Sequence, residues 1–509
     1  MPDNSDSPRN LLLLTSDQQH WFTLGVQNPE IQTPNLDRLA AQGTRFDRAY
    51  TVNPTCTPTR ASIITGQYPS QHGAWALGTK LPEQVPTVGE TLAAHGYRTA
   101  LIGKAHFQQL YDHPQYRSLE SNPLQQNLDF WRAFDQPFYG FQQVELARNH
   151  TCELHVGQHY ALWMEEKGFS NWRDCFNAPA GKLRPGELRH SWNLPEEFHY
   201  DAWIAERTNA LLEQYQRRGE RFFLWASFLD PHPPYLVPKP WDRMYDPASL
   251  SLPDATGDDF ARMPPQFAKT REREPDFSMY AEKDGHGCHG FHSHLFDPAA
   301  LARDMAVYYG MISLMDKYIG KILDQLDRLG LTDDTLVLFT SDHGHFYGHH
   351  GLMAKGAFHY EDMIKVPLLA RLPGVIPAGG ASAALQSLVD LAPTMLDYAG
   401  IPVPRVMTGL SQRPAWEGAG VSVRDHVIVE NRHQPTTLHL KTWIDRRYKL
   451  TVYYNQPYGE LFDLQQDPGE KRNLWDEPEY QSLRGELLLK FLHAEMGKEP
   501  LWMPRVRGA

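Results

Sequence analysis

Short apolar runs alternate with helical patterns along the first two-thirds of the chain, and this alternation restricts the fold more than any other feature. Runs with the length of buried strands lie at residues 11–15, 98–102, 222–228 and 335–340. Helical patterns lie at residues 34–42, 87–96 and 300–329. Strands and helices that alternate in this way are typical of an α/β sheet. We therefore predict an α/β fold with a large sheet sandwiched by helices.

Two long stretches and the C-terminal part of the chain depart from this alternation. Residues 107–200 and 230–298 are rich in proline, aromatic residues and histidine, and we expect them to form long loops that determine specificity. Strand patterns without intervening helices return at residues 427–430, 441–444, 448–453 and 460–463, before a final helix pattern at 478–496. We predict a catalytic α/β domain at 1–410 and a C-terminal α+β subdomain, an antiparallel sheet with a helix, at 411–509.

The net charge of the chain limits the classes of partner. The 509 residues carry a formal charge of −12 at pH 7. Because phosphate backbones are bound by basic surfaces, this charge argues against a nucleic acid as partner. It allows a small anionic substrate, which a local cluster of cations can hold inside an acidic protein. The apolar and basic C-terminus, EPLWMPRVRGA, suggests contact with a second copy of the chain in a homo-oligomer.

Apolar runs and cysteines bear on the location of the protein. No run approaches the roughly 20 apolar residues that span a bilayer, and residues 11–14 are too few for the core of a signal peptide. The chain has four cysteines, which is too few for a disulfide scaffold and agrees with a reducing compartment. We therefore expect a cytoplasmic protein with no membrane partner.

A pair of polar residues follows each of the four predicted strands. The pairs are Asp17 and Gln18, Lys104 and His106, Asp230 and His232, and Asp342 and His343. In open α/β sheets, ligands bind outside the carboxyl ends of the strands. Four such pairs in one chain predict a shared pocket that holds carboxylates, an amide oxygen, imidazoles and a lysine.

Four of these residues have the donor atoms that one divalent cation needs. They are Asp17, Gln18, Asp342 and His343. A shell made mostly of oxygen atoms favours Ca²⁺ or Mg²⁺, and the imidazole adds a preference for Mn²⁺. The alternative for an aspartate after a strand is a turn or a helix N-cap. Lys104 and Lys355 are candidates to hold an anionic oxygen, and the alternative for each is a solvated surface lysine.

The segment NPTCTPTRASIITG places a cysteine at the predicted start of a helix. Pro54 and Pro58 restrict the backbone around Cys56, and Arg60 lies one helical turn further on. Since a helix N-terminus stabilises negative charge, the pattern favours an anion or a nucleophile here. Three alternatives stay open: a small buried apolar residue, a thiol protease with His72 as its base, and a non-catalytic protein that binds an anion beside an unmodified cysteine.

The stretch CTPTR at 56–60, followed by ASIITG, resembles the signature of the type I sulfatases of the alkaline phosphatase superfamily. Further stretches resemble the same family, namely TPNLDRLAAQGTRF at 33–46, QYPSQHG at 67–73, GKAHF at 103–107, SFLDPHPPY at 227–235, TSDHG at 340–344 and ELFDLQQDPGEKRNL at 460–474. The resemblance covers most of the chain. It implies the alkaline phosphatase-like fold, a large mixed sheet between helices, and the hydrolysis of sulfate esters to alcohol and inorganic sulfate.

The resemblance also implies the cofactors. A formylglycine-generating enzyme would oxidise Cys56 to formylglycine, whose hydrated aldehyde is the nucleophile and forms a covalent sulfated intermediate. One divalent cation would lie beside it, with Ca²⁺ as the first choice and Mn²⁺ or Mg²⁺ as alternatives. The implied metal ligands are Asp17, Gln18, Cys56, Asp342 and His343.

Five further catalytic residues are implied by the same motifs. Arg60 would orient the hydrate at position 56, and His106 would be the base that assists its collapse and the release of sulfate. Lys104, His232 and Lys355 would bind the sulfate oxygens of the substrate. Either His232 or Lys355 would protonate the leaving oxygen.

Two positions depart from the commonest family pattern. Gln18 stands where many members have aspartate, and His343 stands where others have asparagine. Because glutamine is neutral, the cation site carries one negative charge less. The combination resembles choline sulfatases and the related phosphonate monoester hydrolases. The alternative function is therefore hydrolysis of phosphonate monoesters or phosphodiesters with the same site.

Other residues flank these motifs. The histidine-rich stretch at 286–294 predicts a second metal site, a loop that lines the pocket or an oligomer contact. Candidates for the rim of the substrate pocket are His20, Trp21, Trp75, Tyr111 and His359. Ordinary packing is the alternative for each of these side chains.

Overall fold

The computed structural model describes residues 9–148, 155–176, 191–272, 276–280, 297–418, 420–434 and 438–507. The strands are β1 (Asn10–Ser16), β2 (Thr44–Phe46), β3 (Ala49–Tyr50), β4 (Arg98–Gly103), β5 (Gln143–Leu146), β6 (Ser191–Trp192), β7 (Phe222–Ser227), β8 (Val237–Pro238), β9 (Thr335–Ser341), β10 (Lys365–Val366), β11 (Leu368–Arg371), β12 (Gly380–Ser382), β13 (Gln386–Ser387), β14 (Val427–Gln434), β15 (Leu438–Ile444), β16 (Tyr448–Tyr453) and β17 (Gly459–Asp463). The α-helices are α1 (Pro34–Gln42), α2 (Cys56–Thr65), α3 (Pro69–His72), α4 (Val88–Ala94), α5 (Leu128–Arg132), α6 (Gln158–Glu166), α7 (Tyr200–Arg218), α8 (Pro265–Lys269), α9 (Pro298–Arg328), α10 (Glu361–Ile364), α11 (Leu391–Tyr398), α12 (Arg413–Glu417) and α13 (Gln481–Gly497).

The main sheet has eight strands in the order β12-β2-β11-β9-β1-β7-β4-β5. The strands β9, β1, β7, β4 and β5 are parallel, whereas β11 is antiparallel to β9. Leu12 in the middle of β1 pairs with Leu224 of β7 and with Val337 of β9. The sheet is therefore mixed, and the predicted fold class is confirmed.

Helices cover both faces of this sheet, which explains why the middle of each central strand is apolar. The side chains of β1 alternate between two cores: Leu12 and Leu14 belong to one, Leu11 and Leu13 to the other. Helices α1, α7 and α9 pack in the first core, and α2, α4 and α11 pack in the second. A strand that is buried on both faces reads as a continuous apolar run, as residues 11–14 do.

Local signals set the ends of several helices. Thr87 and Glu90 form the capping box of α4, because each side chain accepts a hydrogen bond from the backbone N–H of the other residue. Asp297 caps α9 by accepting from the N–H of Ala299, and Pro298 occupies the first turn. Although α9 has 31 residues, neither it nor any other helix in the described ranges is long and apolar enough to cross a membrane.

The C-terminal strands form a separate antiparallel sheet in the order β14-β15-β16-β17. Leu487 and Phe491 of α13 pack against this sheet, in one apolar cluster with Val52. The N–H of Glu430 donates to the carbonyl of Val52 at 2.8 Å, and Nδ2 of Asn53 donates to the carbonyl of Glu430 at 2.6 Å. The predicted sheet and helix are confirmed, while the division of the chain at residue 410 stays a prediction.

The two stretches that we expected to be long loops also contain regular structure. Within 107–200, β5 extends the main sheet by pairing with β4, with Ala100 opposite Gln143. Helices α5 and α6 follow, and Trp131 and Trp163 are buried. These elements have four to nine residues, which is too short for their periodicity to stand out in a sequence.

Candidate active site

The carboxyl ends of β9, β1, β7 and β4 lie side by side, because these four strands are parallel neighbours. Each of the four predicted polar pairs follows one of these strands. Four buried side chains meet at this edge, with ligand atoms within 4.8 Å of one another. They are Asp17, Cys56, Asp342 and His343. The fold therefore brings the first and fourth polar pairs to the cysteine segment.

Two carboxylates form the acidic part of this cluster. Asp342 accepts hydrogen bonds from Nε of Arg60 at 2.8 Å and from the N–H of Gln18 at 3.1 Å. Asp17 pairs with Nζ of Lys104 and lies 3.8 Å from Nη2 of Arg60. Burial raises the pKa of Asp17, but the charges of Lys104 and Arg60 outweigh burial and hold that pKa far below its usual range. Asp17 is therefore an anion despite complete burial.

Gln18 lies next to this cluster, and its backbone N–H donates to Asp342. Its backbone is left-handed, with φ 64°, and its carbonyl accepts from the hydroxyl of Tyr308 at 2.8 Å. The side chain is 1% exposed, and neither amide atom has a hydrogen-bond partner in the described structure. A buried amide without partners is costly, so Gln18 is compatible with a ligand role at this cluster.

His343 turns one nitrogen toward the cluster. Nδ1 lies 2.9 Å from the carbonyl oxygen of Gly344, so Nδ1 carries the hydrogen and Nε2 carries the lone pair. Nε2 lies 3.1 Å from Sγ of Cys56 and 3.7 Å from Oδ1 of Asp342. Burial lowers the pKa of His343, but the charges of Asp342 and Cys56 outweigh burial and raise it. Nε2 of His343 can therefore hold either a proton or a cation.

Cys56 is the first residue of α2 and is completely buried. Its Sγ lies 2.9 Å from Nζ of Lys355 and 3.6 Å from Oδ1 of Asp17. Burial and Asp17 raise the pKa of the thiol, but Lys355 and Lys104 outweigh them and lower it below its usual value. The predicted setting of the cysteine, a helix start beside cations, is therefore observed.

Arg60 lies between the two carboxylates of the cluster. Its Nε donates to Asp342, and Nη1 donates to the carbonyl of Lys104 at 2.9 Å and to Oγ of Ser227 at 2.8 Å. Burial lowers the pKa of Arg60, but Asp342 and the other nearby anions outweigh burial and raise it. Charge-assisted bonds to buried carboxylates explain the direction of the side chain.

Lys355 links the cysteine to the third polar pair. Its Nζ lies 3.1 Å from Nε2 of His232 and 3.4 Å from Nε2 of His343. Burial lowers the pKa of Lys355, but Cys56 and Asp17 outweigh burial and raise it. Burial and the charge of Lys355 hold the pKa of His232 well below its usual value. Lys355 is therefore the charged member of this pair and His232 the neutral one.

Asp230 does not join the pocket in the way that its position after β7 suggested. Its carboxyl group accepts from the hydroxyl of Tyr200 and lies beside Asp201 and His199, away from the cation cluster. Burial raises the pKa of Asp230 to about 8, and burial with the charge of Asp230 raises the pKa of Asp201 well above its usual value. Burial therefore favours the proton-bound form of these two acids.

A group of imidazoles near β1 is held by hydrogen bonds. Nδ1 of His20 accepts from the N–H of Phe22 at 3.1 Å, so Nε2 carries the hydrogen that Asp362 accepts at 3.0 Å. Nδ1 of His349 lies 3.4 Å from the same carboxylate. These contacts satisfy the group without a cation. The histidine-rich stretch at 286–294 lies outside the described residues.

Two other histidines are structural. Nε2 of His72 lies 2.9 Å from Oγ of Ser62, so His72 supports α2 and does not pair with Cys56 as a thiol protease would require. His359 is completely buried, and its Nδ1 lies 2.7 Å from Oγ1 of Thr442 in the C-terminal sheet. It therefore does not lie at the rim of a substrate pocket.

Two residues that the sequence did not single out support the site. The hydroxyl of Tyr308, on α9, holds the left-handed backbone of Gln18. The carboxylate of Glu120 accepts from the backbone N–H of His106 at 2.6 Å. Neither residue lies in a motif or after a strand, and only the tertiary fold brings it to the site.

The family model described as Sulfatase matches residues 9–401 of the chain. The chain belongs to the sulfatase family. A second model, described as N-sulphoglucosamine sulphohydrolase, C-terminal, matches residues 348–496 of the same sulfatase chain. Family membership confirms the resemblance and excludes the thiol-protease alternative. Sulfate ester hydrolysis is the reaction that the family and its relatives support, and the chain is a sulfuric ester hydrolase.

Individual relatives cover nearly the whole of this sulfatase. An arylsulfatase of Clostridium perfringens is 29% identical over 502 residues, with 96% of this chain and 95% of the relative covered. A choline-sulfatase of Rhizobium meliloti is 27% identical over 484 residues, with 92% and 83% covered. The structure of a phosphonate monoester hydrolase of Agrobacterium radiobacter superposes with a TM-score of 0.77 at 26% identity, and 97% and 96% of the chains are covered.

Proposed function

We propose that the chain hydrolyses sulfate esters with formylglycine at position 56 as the source of the nucleophile and one divalent cation beside it. The position of Cys56 carries this proposal. Its Sγ lies 2.9 Å from Nζ of Lys355, and it belongs to the group of ligand atoms that lie within 4.8 Å of one another. A side chain at this position therefore faces both a candidate cation site and an ammonium group suited to an anionic substrate.

The donor set fits a divalent cation. Two carboxylates and one imidazole nitrogen converge at the strand ends, and the buried amide of Gln18, next to Asp17 in the chain, has no hydrogen-bond partner in the described structure. The residues that would hold the cation are Asp17, Gln18, Asp342 and His343, with position 56 as a further ligand. The predominance of oxygen favours Ca²⁺, with Mn²⁺ or Mg²⁺ as alternatives. When bound, the cation supplies Lewis-acid stabilisation of negative charge on the nucleophile.

The charge balance of the pocket favours an anionic substrate. Three buried cations, Arg60, Lys104 and Lys355, face two carboxylates, Asp17 and Asp342. Because a cation in the metal site would add further positive charge, the complete pocket stabilises a sulfate group and the charge that develops on it in the transition state. Lys104 and Lys355 are the residues that we assign to the sulfate oxygens, together with His232.

Lys355 and His232 are arranged to deliver a proton to the leaving oxygen. Nδ1 of His232 lies 2.6 Å from the carbonyl oxygen of Pro233, so Nε2 carries the lone pair and accepts from Lys355. As the bond between sulfur and the alcohol oxygen breaks, that oxygen takes a proton from Lys355, and His232 orients the ammonium group. Arg60, through Asp342, keeps the groups around position 56 in place.

His106 is the base in the second half of the reaction. The hydrate of formylglycine supplies one oxygen for the attack on sulfur and a second hydroxyl for the release of sulfate. His106 follows Lys104 in the turn after β4 and is 5% exposed. We assign it the removal of the proton from that second hydroxyl, after which the aldehyde forms again and sulfate leaves.

Mass spectrometry of the peptide that contains position 56 tests this function. In protein from the native host, or from a host with a formylglycine-generating enzyme, we expect the mass of the aldehyde in proportion to the specific activity. Protein from a host without that enzyme serves as the matched thiol control and should be inactive. A fully active preparation that contains only the thiol would overturn the proposal.

A second candidate function is the hydrolysis of phosphonate monoesters with the same residues. It is favoured by Gln18 and His343 and by the likeness to phosphonate monoester hydrolases, at a TM-score of 0.77. Both reactions pass through charged transition states with five substituents, so some activity on both substrates is expected. The ratio of kcat/KM for an aryl sulfate and an aryl phosphonate monoester separates them. A large preference for the phosphonate would establish the second function.

A further inference from the structure

The backbone turns sharply where it carries His106 into the site. Gly103, at the end of β4, has φ 107°, and His106 has φ 57°, in the left-handed region that an L residue rarely adopts. Between them, Lys104 donates from its N–H to the carbonyl of Ser227 and pairs with Asp17 through its ammonium group. The direction of the His106 imidazole therefore depends on what holds this turn.

Glu120 holds the turn through three successive backbone groups. Oε1 accepts from the N–H of His106 at 2.6 Å, and Oε2 accepts from those of Phe107 at 2.8 Å and Gln108 at 3.0 Å. Three N–H groups that converge on one anion form a nest, and bonds to a charged acceptor are the stronger kind. Glu120 is 1% exposed, so bulk water cannot replace these bonds.

The segment between Gln108 and Glu120 is held to the nest by hydrogen bonds. The N–H of Leu119 donates to Oε1 of Gln108 at 2.7 Å, and Oγ of Ser118 donates to the carbonyl of Gln109 at 2.8 Å. These bonds join the residues before Glu120 to those after His106. The carboxylate therefore reaches the nest from a fixed position rather than from a free chain.

Arg148 contacts both Glu120 and the backbone that Glu120 holds. Its Nη1 donates to the carbonyl of Gln108 at 3.0 Å and lies 3.7 Å from Oε1 of Glu120. The guanidinium group thus offsets the buried charge of the carboxylate and holds the same backbone through its carbonyl. Burial lowers the pKa of Arg148, with a partly compensating effect of Glu120.

We propose that Glu120 is a positioning residue for His106, which fixes the turn so that the imidazole acts on the hydrate at position 56. This inference rests on the proposed function of His106 as the base. In the step concerned, the imidazole takes the proton of the free hydroxyl, the C–O bond to the sulfate breaks with its electron pair on the sulfate, and the C=O bond of the aldehyde forms. The attack on sulfur, which precedes this step, does not require Glu120.

The substitution Glu120→Gln tests the proposal, because it keeps the size of the side chain and removes the charge from the nest. We expect kcat to fall by about 10–100-fold, with KM changed by less than about 3-fold. Stopped-flow assays should show a burst of released alcohol with full amplitude before slow turnover, since the first step is intact. A merely destabilised protein would instead lose burst amplitude. Glu83→Gln, at an exposed acid paired with Lys80, is the matched control with unchanged kinetics.

The variant His106→Ala and the double variant separate the possible failures. If Glu120 acts through His106, the double variant has the kcat of His106→Ala alone, whereas losses that multiply would overturn the proposal. A reduced kcat in His106→Ala together with an unchanged kcat in Glu120→Gln would overturn the positioning role only. A normal His106→Ala would overturn both that role and the base assignment. If Glu120→Gln does not fold, Glu120→Asp takes its place. A loss of kcat smaller than that of His106→Ala, with an intact burst, supports the role, and an unchanged kcat refutes it.

Discussion

Two buried charge clusters, one around Cys56 and one around Glu430, are built from the same kinds of groups but are satisfied differently. Glu430, on β14, pairs with Nζ of Lys498 and with Nζ of Lys441 at 3.0 Å. Its carboxylate also accepts hydrogen bonds from the N–H of Ser70 at 2.8 Å and from Oγ of Ser70 at 2.9 Å. Both oxygens of this carboxylate therefore have partners, and the cluster connects the C-terminal sheet to α3.

The cluster around Cys56 contains groups that are not paired in this way. Both amide atoms of Gln18 lack partners in the described structure, and three cations face two carboxylates. Buried polar groups are normally paired, so unpaired groups beside a charge excess indicate a place for ligands. The comparison shows that burial of charge alone does not mark an active site. What distinguishes the cluster around Cys56 is unpaired groups together with an excess of cations, and the predictions that follow test that distinction.

The largest effect is expected at the nucleophile. Cys56→Ala removes the precursor of formylglycine, so we expect turnover to fall by at least about 10⁴-fold while the thermal unfolding midpoint stays close to that of the parent. Cys175→Ala, at the half-buried free cysteine, is the control and should keep full activity. Substantial turnover by Cys56→Ala would show that the unpaired cluster does not carry the reaction.

Asp342→Asn should lose the cation and the activity together. The substitution keeps the size of the side chain, but it removes the charge that faces Arg60 and the candidate cation. We expect a loss of turnover of about 10³-fold, the equivalent of several kcal/mol of transition-state stabilisation. Metal content by mass spectrometry checks the cause, with Asp324→Asn, at an exposed acid on α9, as the control. Full metal content in Asp342→Asn would refute the ligand assignment.

Gln18→Met should weaken binding of the cation without lowering the stability of the protein. Methionine has nearly the same length and shape, and the amide of Gln18 makes no hydrogen bond to any described residue. Titration of the metal-free protein should show about 10-fold weaker affinity for the cation. Chemical unfolding of the metal-free protein should give an unchanged or higher free energy of unfolding. A clear loss of stability would mean that Gln18 is a structural residue like Glu430.

Glu430→Gln should show the opposite behaviour, with lower stability and normal catalysis. Burial raises the pKa of Glu430, but Lys498 and Lys441 outweigh burial and lower it from 4.5 to about 2. That shift corresponds to a stabilisation of about 3 kcal/mol, which the substitution should remove at neutral pH. Glu486→Gln, at an exposed acid on α13, should change the free energy of unfolding by less than about 0.5 kcal/mol.

The pH dependence of the same variant sharpens this result. A carboxylate whose pKa is lower in the folded state stabilises the fold fully above its unfolded pKa, and the stabilisation is lost as the pH falls through the folded pKa. The difference in unfolding free energy between parent and Glu430→Gln should therefore be constant above about pH 4.5 and shrink between pH 4.5 and about 2. A difference that does not shrink with acid would exclude the ion pairs as its source.

Much of the fold was predictable, because strands that are buried on both faces of a sheet are mostly apolar. The runs at Leu11–Leu14 and 335–340 therefore predicted β1 and β9, and the polar residues after them predicted a site at the strand ends. Asp230 shows the limit of that rule. It follows β7 in the same way, yet its carboxyl group turns to Tyr200, because side-chain direction depends on neighbours that are distant in sequence.

The sequence by itself determined the family, the strand ends and the candidate nucleophile at Cys56, since apolar periodicity and contiguous motifs are local properties of a chain. The tertiary structure alone decided which groups surround them. Tyr308 reaches Gln18 across 290 residues of chain, and Glu120 reaches back to His106 from a loop without a motif. Such contacts depend on the packing of α9 and of the loop before α5, and packing is set by the whole fold rather than by any segment of it.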